Sequence, residues 1–132
     1  PKPRAVETAE AMGYGVAREL PDLGGLPDEL DRWVVRASPR SFADYAAWVD
    51  EVAEARTHAE ALAGLLRGEL EALADGACLL VVSHGGVVEL AAVGAVGTTA
   101  AAWGPTLGYL EGVELGLGPS GWVHGRVVRG AR

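Results

Sequence analysis

The fold prediction starts from residues Cys78–Glu89, which read CLLVVSHGGVVE. The five apolar residues Cys78–Val82 follow one another without a polar break, which is typical of a strand buried on both faces, as in a parallel sheet. The polar loop Ser83–Gly86 ends that strand, and the apolar segment Val87–Val96 favours a helix. Open α/β sheets bind their ligands in loops of this kind, at the carboxyl ends of their strands. The segment therefore predicts an α/β fold with a ligand site at the loop.

The loop itself carries groups that suit an anion. His84 can donate or accept a proton near neutral pH, and the backbone N–H groups at the start of the following helix favour negative charge. Ser83 does not have the surroundings of a hydrolase nucleophile, because the G-x-S-x-G motif requires glycine where Val81 stands.

Composition points to one soluble globular domain that covers residues 1–132. Of the residues, 49% are apolar and 22% are charged, and 132 residues are enough to enclose a core. The net charge of −7 without a basic stripe argues against nucleic acid as a partner. No run of eighteen apolar residues occurs, so we expect no membrane span. Cys78 is the single cysteine, which excludes an internal disulfide and favours a reducing, cytoplasmic location.

The remaining elements are predicted from hydrophobic spacing and from glycine and proline positions. Ser41 is a good N-cap, with Asp44 three positions later as an imperfect capping box. Tyr109–Leu117 and Trp122–Val128 favour a hairpin at a sheet edge. A short strand followed by a loop is expected in Val16–Gly25. Apolar spacing and helix propensity predict four further helices, at Pro1–Met12, Asp28–Val35, Phe42–Val52 and Thr57–Leu73.

Two segments resemble motifs of one protein family. Pro1–Ala9 reads PKPRAVETA and is similar to the S-P-x-x-R-A-x-x-T-A segment of the histidine phosphatase superfamily, which includes phosphoglycerate mutase-like proteins. Val82–Gly86 reads VSHGG and is similar to the second-histidine motif of the same superfamily. The two motifs occur in the family's order, and the pair is more specific than either segment alone.

The resemblance implies a three-layer α/β/α sandwich with a mostly parallel sheet, and it implies phosphoryl transfer. In this family a histidine nucleophile is phosphorylated and then hydrolysed or re-transferred. That histidine lies in an Arg-His-Gly motif on the first strand, upstream of the segment that Pro1–Ala9 resembles. The present sequence contains no Arg-His-Gly and opens on Pro1. We therefore expect that the family's N-terminal part, with the nucleophile, is not visible in these residues.

The implied function is that of a phosphomonoester hydrolase or a phosphoglycerate mutase-like phosphoryl transferase. The alternative is a non-catalytic relative that lacks the nucleophile and serves as an anion-binding or protein-interaction module. A phosphorylated small molecule is the expected partner on the first reading. Nucleic acid and membrane partners are not expected, and a homodimer is left open. No cofactor and no metal is implied, and His58 and His124 do not suggest a metal site.

The resemblance also assigns roles to individual residues. Arg4 would bind phosphate oxygens through its guanidinium, since that group offers planar, paired donors; the alternative is a solvated arginine. His84 would donate to the transferring phosphoryl oxygens; the alternative is a histidine that caps a helix or bonds a carbonyl. Ser83, Gly85 and Gly86 would orient the loop against the substrate.

The family's acid, which protonates the leaving oxygen and activates water, normally lies in a Leu-x-Glu context. Leu20-Pro21-Asp22 matches that spacing, with Asp22 in place of glutamate, and Glu19 is the competing candidate. Both acids can equally be solvated loop residues, and the sequence leaves these readings open.

Overall fold

The computed structural model describes residues 3–130. Within that range a mainly helical body is followed by a C-terminal hairpin. Its helices are α1 (Pro3–Ala11), α2 (Asp28–Ala37), α3 (Phe42–Glu51), α4 (Ala53–Glu71) and α5 (Val87–Val96), with 3₁₀ helices at Pro21–Leu23 and Gly97–Trp103, and its strands are β1 (Gly112–Gly118) and β2 (Gly121–Val128).

The predicted three-layer α/β/α sandwich with a mostly parallel sheet is wrong. In residues 3–130 the sheet consists of β1 and β2 alone, and these strands are antiparallel. Cys78–Val82 runs without helix, turn or bend but pairs with no strand of the described chain. Leu79 and Leu80 are 41% and 52% exposed, so the apolar run is not buried either. A strand is stabilised by a ladder to its neighbours, and no described segment supplies that ladder.

The strand predicted in Val16–Gly25 is also absent. Residues 14–20 have no regular secondary structure, and Pro21–Leu23 forms the short 3₁₀ helix. Leu23 is buried while its neighbours are not, so the segment is attached to the body at that point.

The core lies where α3, α4 and α5 meet. Helix α5 is apolar apart from Glu89, and its residues Leu90 and Ala92 are almost completely buried. It crosses α4 so closely that a Cβ built on Gly94 would lie 2.0 Å from the carbonyl oxygen of Ala59. Glycine is therefore needed at position 94 because the two backbones are in contact. Phe42 of α3 and Leu62 of α4 complete the fully buried centre.

Several local predictions are confirmed. Ser41 and Asp44 form a complete capping box at the start of α3: Ser41 Oγ accepts the N–H of Asp44 at 3.2 Å, and Asp44 Oδ2 accepts the N–H of Ser41 at 3.0 Å. Helix α5 has the predicted bounds, and β1 and β2 form the predicted hairpin, with a register shift at Gly116/Leu117. None of the helices in residues 3–130 combines the length and apolarity that crossing a membrane requires.

Candidate functional site

The loop Ser83–Gly86 leads directly into α5, as predicted, but one N–H group at the start of that helix is already bound by a side chain of the same helix. Gly86 has a positive φ of 84°, and its N–H donates to Glu89 Oε2 at 2.8 Å. The other oxygen, Oε1, accepts the N–H of Leu107 at 3.1 Å. Glu89 is only 2% exposed. The N–H of Gly86, expected to face an anion, is therefore directed at the chain's own carboxylate.

A cavity of about 220 Å³ lies beside this carboxylate, and Gly85, Gly86, Glu89, Tyr45 and Leu107 contribute to its lining. Burial raises the pKa of the Tyr45 hydroxyl, and the negative charge of Glu89 raises it further. A phosphate dianion would be repelled by the same charge. This cavity is therefore unsuited to a phosphate ester.

The loop is also joined to the segment that carries the predicted acid. Ser83 Oγ donates to the carbonyl oxygen of Leu23 at 2.5 Å, across sixty positions of sequence. Asp22 precedes Leu23 in the 3₁₀ helix and is exposed, and His84 follows Ser83 and is partly buried, with its Nε2 atom shielded from solvent. One hydrogen bond thus brings together the two loops that carry Asp22 and His84. Glu19, the competing acid, is exposed in the irregular segment before the 3₁₀ helix.

Arg4 lies in the first turn of α1, and its residue is exposed. Its backbone carbonyl accepts a hydrogen bond from Thr8 Oγ1 at 2.7 Å, a contact within the same helix. Helix α1 buries Ala9 and otherwise packs only lightly against the other helices and strands. Convergence of the Arg4 guanidinium with His84 stays a prediction.

His58 is a candidate that the sequence reasoning did not select. Its Nε2 atom is buried and has no hydrogen-bond partner within residues 3–130. Burial lowers the pKa of the His58 imidazole, and the negative charge of Asp22 opposes that effect. Asp22 therefore acts on His58 through space. A signal was visible in the sequence: His58 lies one turn from Ala55 and one turn from Leu62, on the apolar face of α4.

The arrangement connects segments that carry groups able to take part in acid–base chemistry. Asp22, His58 and the Ser83–His84 dipeptide come from three separate segments, which the Ser83–Leu23 hydrogen bond and the interaction of Asp22 with His58 connect. Carboxylate and imidazole groups are the side chains that most often transfer protons in enzymes. Comparisons of the chain with protein-family models, with curated proteins and with solved structures found no match. The likeness to the histidine phosphatases thus depends on the two motif segments alone.

Proposed function

We propose that this chain is part of a phosphoryl-transfer protein that acts on a phosphate monoester, either as a phosphomonoesterase or as a phosphoglycerate mutase-like transferase. The nucleophilic histidine would come from outside residues 1–132. The observation that carries the proposal is the hydrogen bond from Ser83 Oγ to the carbonyl oxygen of Leu23, because it joins the two loops to which the resemblance assigns one site.

In the proposed site the phosphate lies against the side of the loop that faces the 3₁₀ helix Pro21–Leu23. The imidazole of His84 donates to the phosphoryl oxygens and stabilises the charge that develops during transfer. Asp22, or Glu19 in its place, protonates the leaving oxygen and then activates the water that hydrolyses the phosphohistidine. The guanidinium of Arg4 binds two phosphate oxygens at once. Phosphoryl transfer needs mainly positioning and charge neutralisation, which these groups provide.

The native protein should be assayed with p-nitrophenyl phosphate, with the variants His84→Ala and Arg4→Ala beside it. We expect His84→Ala to lower kcat by about a hundredfold or more, the usual effect of removing one donor to a developing oxyanion. His124→Ala is the matched control, because that histidine is exposed on β2 and lies in neither motif. Full activity in both His84→Ala and Arg4→Ala would exclude the proposed assignment.

The alternative is a non-catalytic relative that binds an anion through the same loop. These 132 residues contain no Arg-His-Gly, so the part of the family site that they resemble could bind an anion but does not include the nucleophile. An intact mass of the native protein shows whether further residues accompany these 132. Titration of the 132-residue chain with inorganic phosphate, followed by amide NMR, measures binding without turnover. Binding that depends on His84, together with no hydrolysis by the native protein, would support the alternative over the enzyme.

The single cysteine, Cys78, is exposed and makes no disulfide within the described chain. We propose a reducing, cytoplasmic location on that basis, since secreted domains of this size commonly rely on disulfides. Intact mass analysis under non-reducing conditions tests this point, because a cytoplasmic protein should be recovered with a free thiol.

A further inference from the structure

Two segments of the body leave their backbone hydrogen-bonding groups unpaired. Neither Gly15–Glu19 nor Cys78–Val82 contains a helix, turn or bend, and within residues 3–130 neither makes a backbone hydrogen bond. Consecutive unpaired N–H and C=O groups on an unbent chain are a template for pairing with another strand. Native proteins normally cover or interrupt such edges, so this region is incomplete as it stands.

Cys78–Val82, the second segment, also leaves apolar side chains uncovered. Leu79 and Leu80 are exposed large apolar residues next to each other, while Val81 packs against the core. Val16 in the first segment is exposed as well. The second segment carries no charged residue, proline or bulge of the kind that commonly protects an edge from pairing, whereas the first segment carries Arg18 and Glu19. An occupant must therefore supply both backbone partners and apolar side chains, and an apolar polypeptide strand supplies both.

The two segments are held near each other at one end. The Ser83–Leu23 hydrogen bond follows directly on Cys78–Val82 and joins it to the residues just after Gly15–Glu19. An ion pair between Arg18 and Glu69 fastens the first segment to α4, whose C-terminal end leads into the second. Although joined in this way, the two segments do not pair with each other.

We propose that Gly15–Glu19 and Cys78–Val82 bind one extended apolar strand of another polypeptide, which lies between them and pairs with both. A second copy of this chain is the less suitable occupant, because its Cys78–Val82 segment is itself an edge of a folded body and would satisfy one segment at most. The net charge of −7 further favours a strand flanked by basic residues. Main-chain hydrogen bonds then give affinity, and alternate side chains give specificity.

The probe is a synthetic seven-residue peptide of valine and isoleucine with a lysine at each end, acetylated and amidated. Amide hydrogen exchange of the 132-residue chain is measured by mass spectrometry with and without the peptide. At a peptide concentration about ten times Kd, exchange in Cys78–Val82 and Gly15–Glu19 should slow about tenfold, because these amides exchange only in molecules that have no peptide bound. Exchange in the β1–β2 hairpin should not change.

Four controls separate strand pairing from other binding. The same peptide with alternate amides N-methylated keeps its apolar surface but loses its donors, and it should not protect either segment. Leu80→Pro removes one N–H of the chain at an exposed position and should weaken peptide binding. Leu80→Asp should weaken binding about tenfold or more through lost apolar burial. Val35→Asp, at a 75% exposed position on α2, should leave it unchanged.

The proposal is overturned by any of three results. One is the absence of protection with peptide at millimolar concentration. Another is equal protection by the N-methylated peptide, which would indicate apolar adsorption. The third is protection without peptide that rises with protein concentration together with a dimer mass, which would identify a second copy as the occupant. None of these readouts depends on phosphate chemistry, so this inference and the proposed function can fail separately.

Discussion

Glu89 closes the first turn of its own helix by accepting the N–H of Gly86, three residues earlier, at 2.8 Å. Its second oxygen accepts the N–H of Leu107, which holds the segment after the 3₁₀ helix Gly97–Trp103 against the start of α5. Glu89 is the one buried charged residue of the described chain. A carboxylate in that position is stable because both oxygens take backbone donors.

We therefore expect Glu89→Ala to lower the free energy of unfolding by about 2–4 kcal/mol, since it leaves two backbone donors without their charged acceptor. Glu89→Gln should lose less, because its amide oxygen still accepts one of the two hydrogen bonds. Urea unfolding with an unchanged m-value measures both. Glu60→Ala on the exposed face of α4 is the control and should change stability by less than about 0.5 kcal/mol. A loss that small for Glu89→Ala would contradict the assigned role.

The contact between α4 and α5 predicts that replacing glycine by alanine has opposite effects on stability at two positions. Gly94→Ala places a methyl group 2.0 Å from the carbonyl oxygen of Ala59, so the helices must separate, at a cost of about 1–3 kcal/mol or more. Gly68→Ala on α4 meets nothing within 4 Å and should stabilise the protein by about 0.5–1 kcal/mol through helix propensity. Thermal unfolding of the two variants checks both signs. Equal shifts for the two would show that the helices are not in contact at Gly94.

Features set by neighbouring residues could be predicted from the sequence. The capping box of Ser41 and Asp44 depends on positions three apart, and the bounds of α5 follow from a glycine pair and an apolar run. The Cys78–Val82 segment could not be predicted in this way. An apolar run indicates what a segment prefers, whereas a ladder depends on a partner elsewhere in space, and the described chain provides none.

The candidate site likewise has features that could be predicted from the sequence and features that depend on tertiary contacts. Asp22 and His84 could be named from motif resemblance, but the link between their two segments depends on the Ser83–Leu23 hydrogen bond, which no local pattern predicts. His58 was missed because its relation to Asp22 is tertiary. Its place on the apolar face of α4, where an imidazole is an unusual residue, was the available signal.

The capping box of α3 should make stability depend on pH at the acid end. The hydrogen bond from the backbone N–H of Arg40 lowers the pKa of Asp44, with further help from Ser41. A carboxyl whose pKa is lower in the folded protein contributes stability above its unfolded pKa, and that contribution is lost as pH falls through the folded value. In urea unfolding, the advantage of the wild type over Asp44→Asn should therefore be constant near pH 6 and shrink as pH falls below 3.8, the usual aspartate value.

A prediction for the Ser41 hydroxyl is independent of pH. Ser41→Ala removes the acceptor of the Asp44 N–H and should cost about 1 kcal/mol, the usual effect of losing an N-cap. Ser41→Asp keeps an acceptor at the N-cap and should recover most of that loss. Failure of Ser41→Asp to recover stability would mean that the hydroxyl acts through other contacts.

The relation between Asp22 and His58 can be measured directly, and it tests the geometry of the candidate site without any substrate. The charge of Asp22 raises the pKa of His58 against the larger lowering by burial, so Asp22→Asn should lower that pKa further. NMR titration of the His58 ring follows it. Glu19→Gln is the matched control, because Glu19 is not among the groups that act on His58, and it should leave the pKa unchanged. Since the pKa of His58 is lower in the folded protein, stability should fall as pH drops below 6.5, the usual imidazole value, and His58→Gln should remove that part of the slope. An unchanged His58 titration in Asp22→Asn, or an equal shift in Glu19→Gln, would mean that the charge of Asp22 does not act on His58 as described.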